Sequence, residues 1–162
     1  VDRSVQLFAA IAHEKGITLY IDIPDDLTIY ADRYMLDTIM RNLTSNALKF
    51  TPGGGTVTIK AKRHLGQSLS PCQGWVEIWV SDTGVGLHPE DLERLYKGKE
   101  LYHRAGTAQE KGTGLGLIIC KEMIERNGGQ LVVDSKLDQG ATFRFTVPVN
   151  SLRGANRKPA KT

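Results

Sequence analysis

Lys111-Gly112-Thr113-Gly114-Leu115-Gly116-Leu117 (KGTGLGL) is followed at once by an apolar-periodic run from Ile118 to Ile124. Its glycines alternate and then cease where a helix must begin. Glycine lets backbone N–H groups turn toward one point and lets a ligand approach with no Cβ in the way. The helix that follows adds orphan N–H donors and the positive end of its dipole, so the segment suits an anion such as phosphate. It is not a Walker loop: the nearest approach is Gly98-Lys99-Glu100, and glutamate has no hydroxyl to offer magnesium. Nor is it the dinucleotide fingerprint, because the spacing is GxGxG and no strand leads directly into it. Taken alone, the stretch reads equally well as a glycine-rich turn ahead of a helix.

Downstream, the helix runs to about Arg126 and stops at Asn127-Gly128-Gly129. Two strands close the pattern, Gln130 to Ser135 and Ala141 to Val147, joined through Asp138-Gln139-Gly140. Upstream, Tyr96 to Gly112 has no periodicity and carries Lys97, Lys99, Arg104 and Lys111. Irregular segments longer than about 12–15 residues are usually functional lids or disordered. A basic segment just before a phosphate loop suits a lid over a triphosphate, although a charged solvent loop accounts for any one residue equally. Before it come a short helix, Glu90 to Leu95, and a second glycine-bearing turn, Ser81 to Pro89 (SDTGVGLHP). That turn directly follows a strand, Trp75 to Val80. The Asp82 carboxylate there can accept a hydrogen bond from an exocyclic amine, as on adenine, while Gly84 and Gly86 admit a flat ring. In isolation an aspartate-glycine turn is the commoner explanation.

Asp32 caps a long helix reaching about Lys49, with Leu36, Ile39, Met40, Leu43, Ala47 and Phe50 as its apolar face. Asn42 and Asn46 share another face, with Lys49 one turn on. An amide oxygen is a suitable hard ligand for magnesium, which is usually held by few side chains together with phosphate oxygens and water. On spacing alone, a solvated helix face is the simpler account. Thr51-Pro52-Gly53-Gly54-Gly55 ends this helix, and Thr56 to Arg63 reads as a strand antiparallel to Trp75–Val80 across a long loop. The chain opens with a helix, Val1 to Glu14, bearing Val5, Phe8, Ala9 and Ala12 on one stripe and ended by Gly16. Two alternating runs, Ile17–Ile21 and Leu27–Ala31, flank a Pro24-Asp25-Asp26 turn and suggest a hairpin. This element order implies helices layered on one face of a sheet.

With 162 residues, 40% of them hydrophobic and 24% charged, the chain has the size and composition of one globular domain. No apolar run approaches the roughly 18 residues that a membrane span requires, and the N-terminus lacks a signal-peptide pattern. Cys72 and Cys120 lie far apart without metal-ligand spacing, as expected of free thiols in a reducing compartment. The net charge of +3 arises from Arg153, Arg157, Lys158 and Lys161 in the last twelve residues, which contain no acid; residues 1–150 carry −1. Such a body argues against a nucleic-acid-binding face. We expect residues 1–150 to form the domain and 151–162 a basic, disordered tail.

Asn-x3-Asn-x2-Lys on a helix, then DxGxG, an irregular basic segment and GTGLGL together resemble the ATP-binding catalytic domain of sensor histidine kinases. The resemblance runs from about Ile17 to Pro148. The family's N box is matched by RNLTSNALKFT (Arg41–Thr51), and its two glycine boxes by Asp82–Gly86 and Gly112–Leu117. GATFRFTVP (Gly140–Pro148) is similar to its last strand. The segment after Tyr96, near where the family often has Phe, departs most from the pattern. The resemblance implies a Bergerat-type α+β fold: a two-layer α/β sandwich whose mixed, mostly antiparallel sheet is covered on one face by three helices. It implies ATP and Mg2+ as cofactors, Asn46 as the magnesium ligand and Asp82 as the reader of adenine. Asn42 and Lys49 would support metal and phosphates, making Asn46 and Lys49 the catalytic candidates. Arg104, Lys111 and Gly112, Thr113, Gly114, Leu115, Gly116 and Leu117 would enclose the phosphates.

Hydrolysing members of the same superfamily resemble one another in a general-base glutamate four residues before the magnesium asparagine. That position is Asn42 here, which cannot take a proton from water. The resemblance therefore implies transfer of the γ-phosphate to a protein histidine. His13-Glu14 is followed by Lys15-Gly16, which end the helix, and His64, His88 and His103 have no acceptor motif. We expect the acceptor on a separate, histidine-bearing dimerisation domain of a homodimeric parent, with a response regulator downstream. No nucleic-acid partner and no direct membrane contact are expected, and a cytoplasmic location is, as part of either a soluble or a membrane-bound sensor. A nucleotide-binding regulatory module without transferase activity and an anti-sigma-type serine kinase are the alternatives.

Overall fold

The structure, a computed structural model, describes residues 2–65, 74–97, 107 and 115–149. In chain order the elements are α1 (Asp2–Lys15), β1 (Thr18–Asp22), α2 (Arg33–Phe50), β2 (Thr56–Leu65) and β3 (Gly74–Asp82). They continue with α3 (Pro89–Tyr96), α4 (Gly116–Arg126), β4 (Leu131–Ser135) and β5 (Ala141–Pro148). The strands form one sheet in the order β1-β2-β3-β5-β4. Only β1 with β2 is parallel; the other neighbours are antiparallel.

Alternation along the strands makes the two-layer form. Val57, Ile59 and Ala61 on β2, Val76, Ile78 and Val80 on β3, and Ala141, Phe143, Phe145 and Val147 on β5 all face the buried side. Helices α1, α2 and α4 cover that side with Phe8, Ala12, Ile39, Leu43, Leu48, Cys120 and Ile124, while the short α3 adds Leu95. Full burial of one such aliphatic or aromatic side chain stabilises the fold by about 1.5–3 kcal/mol. The opposite sheet face carries Glu77, which pairs with His64 Nε2 at 3.0 Å and Arg144 Nε at 3.3 Å, while Trp75 stacks on His64.

Helix α2 is held in place at both ends. Asp32 caps it by accepting from Met35 N at 2.9 Å, and its own N–H donates to Asn127 Oδ1 at the end of α4, also at 2.9 Å. The helix stops where Thr51 turns extended ahead of Pro52, its buried hydroxyl donating to Ala47 O at 2.6 Å. Helix α4 stops at Gly128, whose φ of +78° is left-handed, and Gly129 N returns to Ile124 O at 3.0 Å.

The expected hairpin does not form. Ile17 is the buried residue just before β1, and Leu27–Ala31 is not a strand. Instead β1 lies parallel to β2, Thr18 opposite Thr56, and the chain returns through α2 in a β-α-β crossover. Leu27, Ile29 and Ala31 do pack on the core, which explains their alternation, but the segment passes the end of β5, where Tyr30 N donates to Pro148 O at 2.9 Å. The Pro24 turn stands, with Leu27 N bonded to Pro24 O at 3.2 Å. No helix among the described residues is long and apolar enough to cross a membrane. Cys120 is a buried free thiol; Cys72 and the 151–162 tail lie outside the described residues.

Candidate functional site

The DTGVG turn is fixed by backbone on both sides. Val85 N donates to Phe50 O at 3.1 Å, at the end of α2, and Asp138 N donates to Val85 O at 2.9 Å, from the β4–β5 turn. A Cβ on Gly84 would overlap the Phe50 carbonyl, and one on Gly86 would overlap the Lys136 carbonyl. Gly86 also has φ +66°, and Gly140, at +84°, sits directly against the Asp82 carbonyl. Glycine is therefore demanded here by the protein's own backbone, before any flat ring is considered.

This packing presents Asp82, the last residue of β3. Its Oδ1 accepts from Gly84 N at 2.9 Å and from Ala141 N at 3.3 Å. No donor among the described residues reaches Oδ2, which is left to accept from a ligand. Burial pushes the carboxyl above its ordinary value, and the hydrogen bonds from Gly84 and Ala141 work against that rise.

Asp82 stands in a cleft of about 430 Å3, measured out to its open mouth. The walls are Phe50, Leu87, Leu117, Ala141 and Phe143, with Gly86 on one side, and Asn46 is the second polar side chain. Apolar walls with one or two placed polar groups suit an aromatic ring carrying an amine.

The asparagines are half-buried rather than on a solvated face. Asn46 lines the cleft. Asn42 lies one turn earlier, its Nδ2 donating to Thr38 O at 3.0 Å, so that its Oδ1 is the acceptor. That oxygen faces the start of α4, where a Cβ on Gly116 would approach it to 3.0 Å. The amide oxygens of Asn46 and Asn42 are hard donors of the kind magnesium accepts when phosphates complete its shell. Among the described residues no three His, Cys, Asp or Glu side chains gather to hold a metal by themselves.

Lys49, in the last turn of α2, places its ammonium 4.8 Å from the centroid of the Phe50 ring. Phe50, read from periodicity as part of the core stripe, is a cleft wall instead, while Thr44 and Leu48 occupy buried positions the stripe omitted. Leu115 precedes α4 and is exposed, whereas Leu117 turns into the cleft. Arg104, Lys111, Gly112, Thr113 and Gly114 lie outside the described residues. Leu87, Ala141 and Phe143 were not singled out from the sequence. The signal for the last two was the register of GATFRFTVP, which sets Ala141 opposite Asp82 and Phe143 opposite Val80.

Comparison with known proteins identifies the family. Residues 31–151 match the family model described as histidine kinase-, DNA gyrase B- and HSP90-like ATPase. Adaptive-response sensory kinase SasA of Rippkaea orientalis is 40% identical over 144 residues, which span 88% of this chain and 34% of that protein. Histidine protein kinase DivJ of Caulobacter vibrioides is 44% identical over 128 residues, 78% of this chain and 20% of that protein. The chain thus corresponds to about a third or less of these two relatives' length. Among solved structures, ShkA in complex with AMPPNP superposes with a TM-score of 0.67 at 31% identity, covering 91% of this chain and 28% of that one. The catalytic domain of histidine kinase ThkA superposes with a TM-score of 0.71 at 23% identity, covering 91% of this chain and 88% of that one, a likeness of fold. The chain belongs to the histidine kinase-, DNA gyrase B- and HSP90-like ATPase family, as an ATP-binding catalytic domain of the sensor histidine kinase type.

Proposed function

We propose that this domain binds Mg-ATP and presents its γ-phosphate to a histidine on a dimerisation domain of the same parent protein. The observation that carries the reading is Asp82: a half-buried carboxylate with one oxygen held by backbone N–H groups and the other available, in an apolar cleft beside Asn46. Asp82 Oδ2 accepts from the adenine amine, while Phe50, Leu87, Leu117 and Phe143 enclose the ring. Asn46, with Asn42 beside it, would hold Mg2+, whose charge offsets that of the phosphates when bound. Lys49, Arg104 from the segment before KGTGLGL, and Lys111 at its start would add positive charge, and the glycines from Gly112 to Gly116 would offer the phosphates N–H donors.

The chain's contribution is positioning and neutralisation. The bond broken is that between the γ-phosphorus and the bridging oxygen, and the bond formed joins phosphorus to an imidazole nitrogen of the acceptor. Asn42, where hydrolysing relatives have glutamate, cannot deprotonate water, which favours transfer over hydrolysis. The names of the curated relatives, a sensory kinase and a histidine protein kinase, support the same reading. A response regulator would take the phosphoryl group onward, and use of ATP puts the domain on the cytoplasmic side.

The test mixes this chain with a purified dimerisation domain and γ-labelled ATP. Acid-labile, base-stable label on the acceptor, lost with Asn46→Asp or Asp82→Ala, is the expected result. Binding of nucleotide without transfer to any acceptor would make the domain a regulatory module; rapid phosphate release by the chain alone would contradict the role of Asn42.

A further inference from the structure

The last turn of a helix leaves carbonyl groups without intrahelical partners. At the end of α2 they are met from two distant parts of the chain. Lys15, from the last turn of α1, donates through Nζ to Leu48 O at 2.9 Å, Lys49 O at 3.1 Å and Thr107 Oγ1 at 2.9 Å. Thr107, in the α3–α4 connection, donates its backbone N–H to Lys49 O at 3.0 Å. Its hydroxyl lies 3.0 Å from both Lys49 O and Thr51 O.

The glycine run after α2 allows this convergence. Gly54 N donates to Gly16 O at 2.9 Å, and a Cβ on Gly53 would stand 2.9 Å from Lys15 O. KFTPGGG is thus a docking surface for the end of α1. A lysine ammonium can donate to several acceptors at once, and a cation at a helix C-terminus is favoured by the dipole.

We propose that Lys15 is a positioning residue of the nucleotide site: its ammonium ties the last turn of α2, which carries Lys49, to Thr107 in the α3–α4 connection. The inference rests on the proposed nucleotide reading. Lys15 does not line the cleft. It acts by holding the backbone of Lys49 and Thr107 in one arrangement, so its removal affects the phosphate end of the ligand and spares the adenine end.

The test titrates a non-hydrolysable ATP analogue and, separately, adenosine into the whole chain by calorimetry. Wild type is compared with Lys15→Met, Thr107→Val, Thr107→Ser and the Met/Val double variant, with folding followed by thermal denaturation. Loss of the hydrogen bonds made by these side chains is expected to weaken the triphosphate by about five- to tenfold in Lys15→Met and in Thr107→Val. Adenosine affinity stays within about twofold, Thr107→Ser binds as wild type does, and the double variant weakens binding less than the product of the singles. Equal weakening of triphosphate and adenosine, or a lowered melting temperature with unchanged affinities, overturns the proposal and leaves Lys15 a helix cap. Should Lys15→Met not fold, Thr107→Val carries the same comparison. Wild type binding neither ligand fails the nucleotide reading itself, and this inference with it.

Discussion

Gly16 and Gly86 form a matched pair, with φ of +67° and +66°. A Cβ added at Gly16 meets nothing within 4 Å, whereas at Gly86 it overlaps the Lys136 carbonyl. Gly16→Ala therefore reports the left-handed backbone alone, which costs a non-glycine residue about 1–2 kcal/mol. Gly86→Ala carries that cost and a steric one, roughly 1–3 kcal/mol more where side-chain atoms are forced into packed structure. At about 2–4 °C per kcal/mol for a domain of this size, Gly16→Ala lowers the melting temperature by about 2–8 °C and Gly86→Ala by about 4–20 °C. Thermal denaturation followed by circular dichroism measures both. The second variant must also weaken nucleotide, because relief of the overlap displaces the turn that seats Asp82. Equal melting temperatures and equal affinities for the two variants would refute the claim that the Lys136 contact fixes this turn.

Thr44 is fully buried, and its hydroxyl has no hydrogen-bond partner among the described residues. Thr44→Val is expected to leave stability unchanged or raise it by about 1 kcal/mol, since the hydroxyl's desolvation is uncompensated; a clear drop in denaturant midpoint would contradict this. Burial raises Asp82 above its ordinary value of 3.8, so its contribution to stability is full below that value and is lost as pH rises through the folded one. The melting temperature of Asp82→Asn, relative to wild type, should accordingly improve between acid and neutral pH, and a flat difference would count against burial as the cause. Cys120 is pushed from 9.0 up to about 12 by burial, so stability is retained below pH 9 and lost between about 9 and 12. Cys120→Ala should show a shallower alkaline loss of stability in pH-dependent denaturation. A saturating ATP analogue at a hundred times its dissociation constant adds about 2.7 kcal/mol to folding, seen as a raised melting temperature that vanishes in Asp82→Ala.

What could be read from the sequence followed from periodicity and from punctuation. The steps of three and four in α2, the alternation of β2, β3 and β5, and the stops at Thr51 and Asn127 all reflect local geometry. Pairing partners were harder. Ile17–Ile21 and Leu27–Ala31 have the composition of a hairpin, yet the pairing edge of β1 is set by β2, which comes 34 residues after Asp22. Strand-Asp-x-Gly and helical Asn spacing are short-range signals that singled out Asp82 and Asn46, but each alone read as a turn or a solvated face, and only their combination in one motif order resembled a nucleotide site. Phe50 was misread because one helix residue can continue an apolar stripe and still wall a cleft. Lys15 and Thr107 carried no signal, since their meeting at α2 joins segments separated by as many as 92 residues.

Calorimetric titration of a non-hydrolysable ATP analogue, with and without magnesium, into wild type and Asp82→Ala tests the central claim most directly. The account predicts binding by wild type that magnesium strengthens, and its loss when the carboxylate is removed. Binding that is indifferent to Asp82, or no binding by folded wild type, would contradict it.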